Sequence, residues 1–228
     1  PTLFRVEKMP SKKKHILQPP NLPAKLDAIS LTALANYDEY AENKISSAIL
    51  ADISAKNVLF EECLFRRVTL TSAKLPKLHL RDVRLEGCDL SAASLEKARL
   101  RRGEFSNCRL IGVQMLSAEM DDVLFKECNL EGAVFVGVQG KHIRFEDCLL
   151  KNATFESADL EKITFIHCDL SYADFRNVKF KAADLRGSII DGIVIDPKSA
   201  VGLIISPIQA IQVVTLLGVV VQDDGDME

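Results

Sequence analysis

Six cysteines and four histidines are the side chains of this 228-residue sequence best suited to act as ligands or nucleophiles, and their spacing decides what they can do. Cys88, Cys108, Cys128, Cys148 and Cys168 recur every twenty residues, with Cys63 outside that series. Zinc sites use short spacings such as C-x-x-C that converge on one tetrahedral point, and disulfide frameworks use paired cysteines in an oxidising compartment. A strict twenty-residue interval has neither form. His15, His79, His142 and His167 lack Ser, Cys or carboxylate companions spaced as a triad, and there is no glycine-rich phosphate loop. No catalytic, cofactor-binding or metal-ligating residue is expected, and therefore no enzyme and no cofactor.

The charged residues offer a second kind of chemistry. Ala98-Arg99-Leu100-Arg101-Arg102 is the most basic pentapeptide, and twenty residues later stands Ala118-Glu119-Met120-Asp121-Asp122. The interval of twenty matches that of the cysteines, so whatever stacks the thiols also stacks Arg99 on Glu119, Arg101 on Asp121 and Arg102 on Asp122. Such a ladder neutralises the patch and argues against nucleic-acid binding. A net charge of −3 argues for neither a polyanion-binding nor a strongly acidic surface.

Both intervals are multiples of a shorter one. From Leu50 to Ile195 every fifth residue is a large apolar centre, with Ala55 and Gly140 the exceptions: fourteen Leu, ten Phe, two Met and two Ile fill the rest of thirty consecutive positions. Two residues before each centre stands a smaller side chain, mostly Ala, Val, Cys or Ile. Five fits neither the helical period of 3.6 nor the strand period of 2. It requires a chain that turns a corner every five residues, with one large and one small side chain pointing inward per side. Four sides make a turn of twenty residues, and turns stack about 4.8 Å apart through parallel-sheet hydrogen bonds. Thirty sides give seven and a half turns and a rod of roughly 36 Å. Each cysteine then occupies the small inward slot as an apolar filler, and Phe105, Phe125, Phe145 and Phe165 form a ladder on the preceding side.

The triplets Ala158-Asp159-Leu160, Ala173-Asp174-Phe175 and Ala183-Asp184-Leu185 match the A(D/N)LXX signature, and the chain resembles the pentapeptide-repeat family over about two thirds of its length. The resemblance implies an all-β fold, a right-handed quadrilateral β-helix; the handedness comes from the resemblance alone. It also implies two activities to weigh. Some relatives protect DNA gyrase, with mimicry of duplex DNA by a negative rod as the proposed mechanism. Here formal charge summed over each side between residues 48 and 197 comes to 0, 0, −3 and +1, so no side is phosphate-like, and no long loop interrupts the coils. In several relatives the C-terminal region makes a dimer contact, which implies a homodimer through residues 201–221.

Outside the repeats, residues 1–20, with Lys12, Lys13, Lys14, His15, Pro19 and Pro20, read as a flexible tail. Residues 21–46 read as an N-terminal capping segment with a helical turn after Pro23, residues 47–197 as the β-helix, and residues 198–228 as a C-terminal cap with an acidic tail. Ser206-Pro207-Ile208-Gln209 has capping-box spacing and Pro at the first helical position, which predicts a short capping helix over about 207–217. Ile208, Ile211, Val214 and Leu217 would line its apolar face and the dimer contact, and Val219–Val221 would form a last strand. Gly140 stands where a large centre belongs, and Leu116, Val134 and Val136 are expected outward beside it, either as a protein-contact patch or around a local bulge. The polar residues Ser206, Pro207, Gln209, Gln212 and Thr215 argue against a span through 201–221, so no membrane is expected. The basic stretch Met9–Leu17 is not followed by an apolar signal core, so the expected location is cytoplasmic. The function expected is a non-catalytic scaffold for an unidentified protein partner, without direct nucleic-acid binding. The alternatives are a gyrase modulator and a protein held to a membrane by its C-terminal segment.

Overall fold

The computed structural model describes residues 17–216 and 218–222. There the chain winds as a parallel β-solenoid of about nine turns with one C-terminal helix. Fourteen strands share a single sheet, and neighbouring turns are offset by twenty residues: His79 pairs with Arg99, Arg99 with Glu119 and Glu119 with Gln139.

The four sides are not alike. His79–Glu86, Arg99–Ser106, Glu119–Lys126 and Gln139–Glu146 each run eight residues through a corner without a break. The other two sides touch their neighbours through single bridges, as in Ile49–Thr69–Asp89 and Ser54–Lys74–Ser94. What repeats on all four sides is the corner. From Tyr37 to Gly192, every residue two places after a centre has a positive φ. A side chain in that left-handed conformation costs roughly 1–2 kcal/mol. The corner amides offset it by bonding to the next turn, as Asp52 N does to Thr71 O at 2.9 Å and Arg67 N to Glu86 O at 2.9 Å.

Inside, the large centres stack as columns. Phe105, Phe125, Phe145 and Phe165 lie face to face with centroids 4.8, 4.9 and 5.1 Å apart. A second column, Phe135, Phe155 and Phe175, stacks at 4.8 and 5.1 Å and meets the first edge-on. Offset and edge-on contacts are the arrangements aromatic quadrupoles favour, and each buried ring contributes about 1.5–3 kcal/mol by burial.

The coil reaches further toward the N-terminus than the apolar period suggests. Glu39–Ala41 pairs with Leu59–Glu61, and Tyr40 stacks on Phe60 at 5.0 Å. Asp27–Ile29 then pairs with Asn43–Ile45 at an interval of sixteen. The helical turn expected after Pro23 does not form; the chain bends there and enters the strand, where Ile29 and the following Leu31 pack on the core. Among the described residues no helix is long and apolar enough to cross a membrane.

Candidate functional site

The C-terminal end is built by local signals. Ser206 N donates to Gln209 Oε1 at 2.9 Å and Gln209 N to Ser206 Oγ at 3.3 Å, a reciprocal capping box that opens the helix Pro207–Leu216. Gly218, at φ 85°, closes it: Gly218 N bonds Thr215 O and Val219 N bonds Val214 O, both at 3.0 Å, the two bonds of a Schellman turn. Gln209 and Val213 are the helix residues buried against the coil. Gln209 Nε2 donates to both Leu185 O and Ser188 O at 2.8 Å, which ties the helix to carbonyls at the end of the coil.

The opposite face of the helix is apolar and open. Ile208 is 78% exposed and Ile211 55%, while Val214 is half-buried and Leu217 lies outside the described residues. The last strand expected at Val219–Val221 does not form, because the Schellman turn directs the chain off the helix end without a ladder partner; all three valines are exposed, as is Val201. The acidic tail from Asp223 and the tail before Leu17 also lie outside the described residues.

Leu116, Val134 and Val136 are half-buried on one wall of the coil, Val134 bridging Gln114 and Thr154 in register. Gly140 carries no bulge: Met120, Gly140 and Leu160 remain directly paired. A Cβ at Gly140 would lie 2.4 Å from Ile143 and 2.8 Å from Leu160. Ile143, in the small slot that follows, reaches with Leu160 into the space the missing centre leaves.

The cysteines are free thiols, all buried. Each lies within reach of main-chain carbonyls, as Cys128 Sγ does of Phe105 O at 3.4 Å and Cys148 Sγ of Phe125 O at 3.4 Å. Burial pushes the Cys63 thiol up to about 11. Cys88, Cys128 and Cys168 are also held above the ordinary thiol range, by hydrogen bonds to the neighbouring ladder cysteine and then by burial. The same hydrogen bonds act the other way on Cys108 and Cys148 and hold them low, but burial closes every one of these thiols off from a substrate.

The expected ladder forms in part: Arg99 closes on Glu119, while Arg101 and Asp121 stand opposite each other in register. Arg99 Nε lies 3.3 Å from Glu119 and Arg84 Nε 3.1 Å from Glu104. Arg102 departs from it. Its guanidinium turns back one coil to grip Asp82 with two bonds, Nε–Oδ1 at 2.6 Å and a second from Nη2 to Oδ2, rather than forward to Asp122. A segment outside the repeat docks on both of these aspartates. Asn21 N donates to Asp82 Oδ1 at 2.9 Å and Gln18 N to Asp122 Oδ1 at 3.2 Å, so residues 18–21 lie across three turns. Pro19 and Pro20 between them suit an extended helix rising about 3.1 Å per residue, which over three residues matches two turns of about 4.8 Å. Asp82, Asp122 and His142 are 3%, 9% and 9% exposed on this corner.

The same corner gathers a group that residue spacing alone did not single out. His142 Nδ1 lies 3.7 Å from Asp121 Oδ1 and 3.7 Å from Asp122 Oδ1, and its Nε2 lies 3.4 Å from Lys162 Nζ. One ligand atom from each of Asp121, Asp122 and His142 falls within 4.8 Å of the other two. The usable signal was the twenty-residue interval from Asp122 to His142, the same interval that aligns the thiols. His79 and His167 stand elsewhere: burial, with help from Arg99, pushes the His79 imidazole down, and His167 Nδ1 lies 3.5 Å from Asp147 on the surface.

A family model described as the pentapeptide repeat region matches residues 58–135, 77–155 and 118–195. Among solved structures, the chain is similar to full-length QnrB1, a plasmid-mediated fluoroquinolone resistance protein, at 18% identity over 85% of this chain and 100% of that one, with a TM-score of 0.44. It is also similar to HetL, a pentapeptide repeat protein involved in heterocyst differentiation regulation from the cyanobacterium Nostoc sp. strain PCC 7120, at 19% identity over 69% of this chain and 85% of that one, TM-score 0.31. A pentapeptide repeat protein from the Arabidopsis thaliana thylakoid lumen shares 26% identity over 41% of this chain and 65% of that one, TM-score 0.39. No curated protein sequence matches the chain.

Proposed function

Because the chain belongs to the pentapeptide-repeat family, we propose that it is a non-catalytic scaffold whose C-terminal end binds a protein surface, in the first instance that of a second copy. The observation that carries this reading is the contrast in surface chemistry. Along the solenoid, exposed charges pair between turns at several places, as in Arg66–Glu86 at 2.6 Å and Lys181–Asp159 at 2.9 Å. At the C-terminal end Val201, Ile204, Ile208, Ile211, Leu216, Val219, Val220 and Val221 are all exposed. A concentration of exposed apolar side chains of that kind is characteristic of a protein contact.

Sedimentation velocity tests it. The intact chain should sediment as a dimer, and the double variant Ile208→Asp, Ile211→Asp as a folded monomer. An intact chain that stays monomeric at high concentration would sink the dimer. Leu116, Val134 and Val136 offer a smaller apolar contact on the coil wall. Modulation of DNA gyrase has less support, since the side charges do not imitate a phosphate rod; a supercoiling assay with and without a fluoroquinolone separates it from the scaffold reading.

A further inference from the structure

We propose that Asp121, Asp122 and His142 form a binding site for one divalent transition-metal ion, with Zn2+ as its representative. The donor set is mixed carboxylate and imidazole, the combination that suits zinc and its neighbours rather than calcium or magnesium. Metal–ligand bonds of 2.0–2.2 Å at tetrahedral angles put neighbouring ligand atoms about 3.4 Å apart. The two Nδ1–Oδ1 separations of 3.7 Å are close to that and too long for good hydrogen bonds between those atoms. Small rotations of three side chains would bring the atoms onto one ion. Three protein ligands would leave further positions to water or to another group.

The surroundings are arranged as such sites require. Ligating carboxylates are normally held by a hydrogen bond from outside the site, and Gln18 N–H holds Asp122 Oδ1 at 3.2 Å. Arg102, on the preceding coil, is committed to Asp82. Lys162 is the group that must move. An ion on Nδ1 requires the imidazole proton on Nε2, which Lys162 Nζ now faces at 3.4 Å. The lysine is half-exposed and already lies 3.8 Å from Glu161 Oε1, so it can turn there and leave Nε2 to carry the proton. Because Gln18 and the ligand Asp122 are bonded, metal binding would also tighten the N-terminal segment on the coil.

The test uses the full chain stripped of metal by chelator and dialysed, titrated with Zn2+ by calorimetry and with Co2+ by visible absorption. One equivalent should bind, the Co2+ form should show d–d bands, and Zn2+ should raise Tm. His142→Ala and Asp121→Asn should each weaken binding on the order of a hundredfold, while His79→Ala and His167→Ala should bind as the parent does. Asp121 is half-exposed, so Asp121→Asn keeps the test decisive should the buried His142 variant fail to fold. The proposal is overturned by no saturable binding to the parent, by undiminished binding to folded Asp121→Asn, or by loss of binding in His167→Ala.

Discussion

Two corners of the same coils have the same backbone and opposite fates. Asp82, Arg102, Asp122 and His142 occupy one; Gly87, Asn107, Glu127 and Asp147 occupy the next, five residues on in each turn. All eight have positive φ. The second corner is exposed throughout, whereas three of the four residues at the first are buried and Arg102 is half-buried. The difference coincides with the four strands that run eight residues unbroken through the first corner. One turn before and after, at Glu62 and Lys162, the strands break; Glu62 is half-buried and Lys162 exposed. Within a regular solenoid, then, environment is set by what lies across a corner and not by the corner's own conformation.

The largest effect should come from removing the charge that anchors this arrangement. Asp82→Ala leaves the Arg102 guanidinium and the Asn21 amide without their acceptor. Breaking such a pair costs about 3–5 kcal/mol when fully buried, and about 2–3 here because Arg102 keeps partial solvent contact. Asp147→Ala at the open corner should change urea stability by less than about 0.5 kcal/mol. Equal losses at the two positions would erase the comparison.

Acid should act on the same group. Burial opposes ionisation of Asp82, but the bonds from Arg102 and Asn21 N outweigh it and hold its carboxyl below the ordinary aspartate range. A depressed folded-state value means stability fully present above the unfolded aspartate pKa and lost as pH falls through the folded one. The stability-against-pH curve of Asp82→Asn should therefore be flatter on its acid limb than that of the parent, as measured by urea unfolding at a series of pH values.

Smaller effects sharpen the picture. Pro19→Gly with Pro20→Gly frees the spacer between Gln18 and Asn21 and should cost about 0.5–1 kcal/mol per site through the unfolded chain. Hydrogen exchange should then quicken at the amides of Gln18 and Asn21 and stay unchanged at Asn107 and Glu127. Smallest of all, Glu127→Gly should stabilise by a few tenths of a kcal/mol, up to about 1, because glycine tolerates the corner's φ of 53° that costs an L residue. His142→Gly should gain nothing, since it gives up a buried side chain.

Much of the molecule was legible because a period of five leaves few alternatives. The twenty-residue register alone places Arg99 on Glu119 and the phenylalanines in a column, and both are found there. The helix start was equally legible, since a capping box is complete within four residues. Reading Arg102 onto Asp122 failed for a definable reason. Register brings a residue equally close to the turn before and the turn after, and it does not say which way a long side chain will turn. Gly140 is a related case: the pattern marks a missing centre but does not say that Ile143, in a neighbouring slot, fills the void.

The sequence by itself determined the coil, its register, its columns and the kind of helix that ends it, because all of these follow from local geometry repeated. The tertiary structure decided which corner is buried, where Arg102 turns and which three side chains meet around His142. The same corner takes contacts from residues 18–21, whose partners are 61 and 104 positions away. A repeat makes its turns equivalent; only a segment outside the repeat can make one of them different, and no periodicity encodes where it will dock.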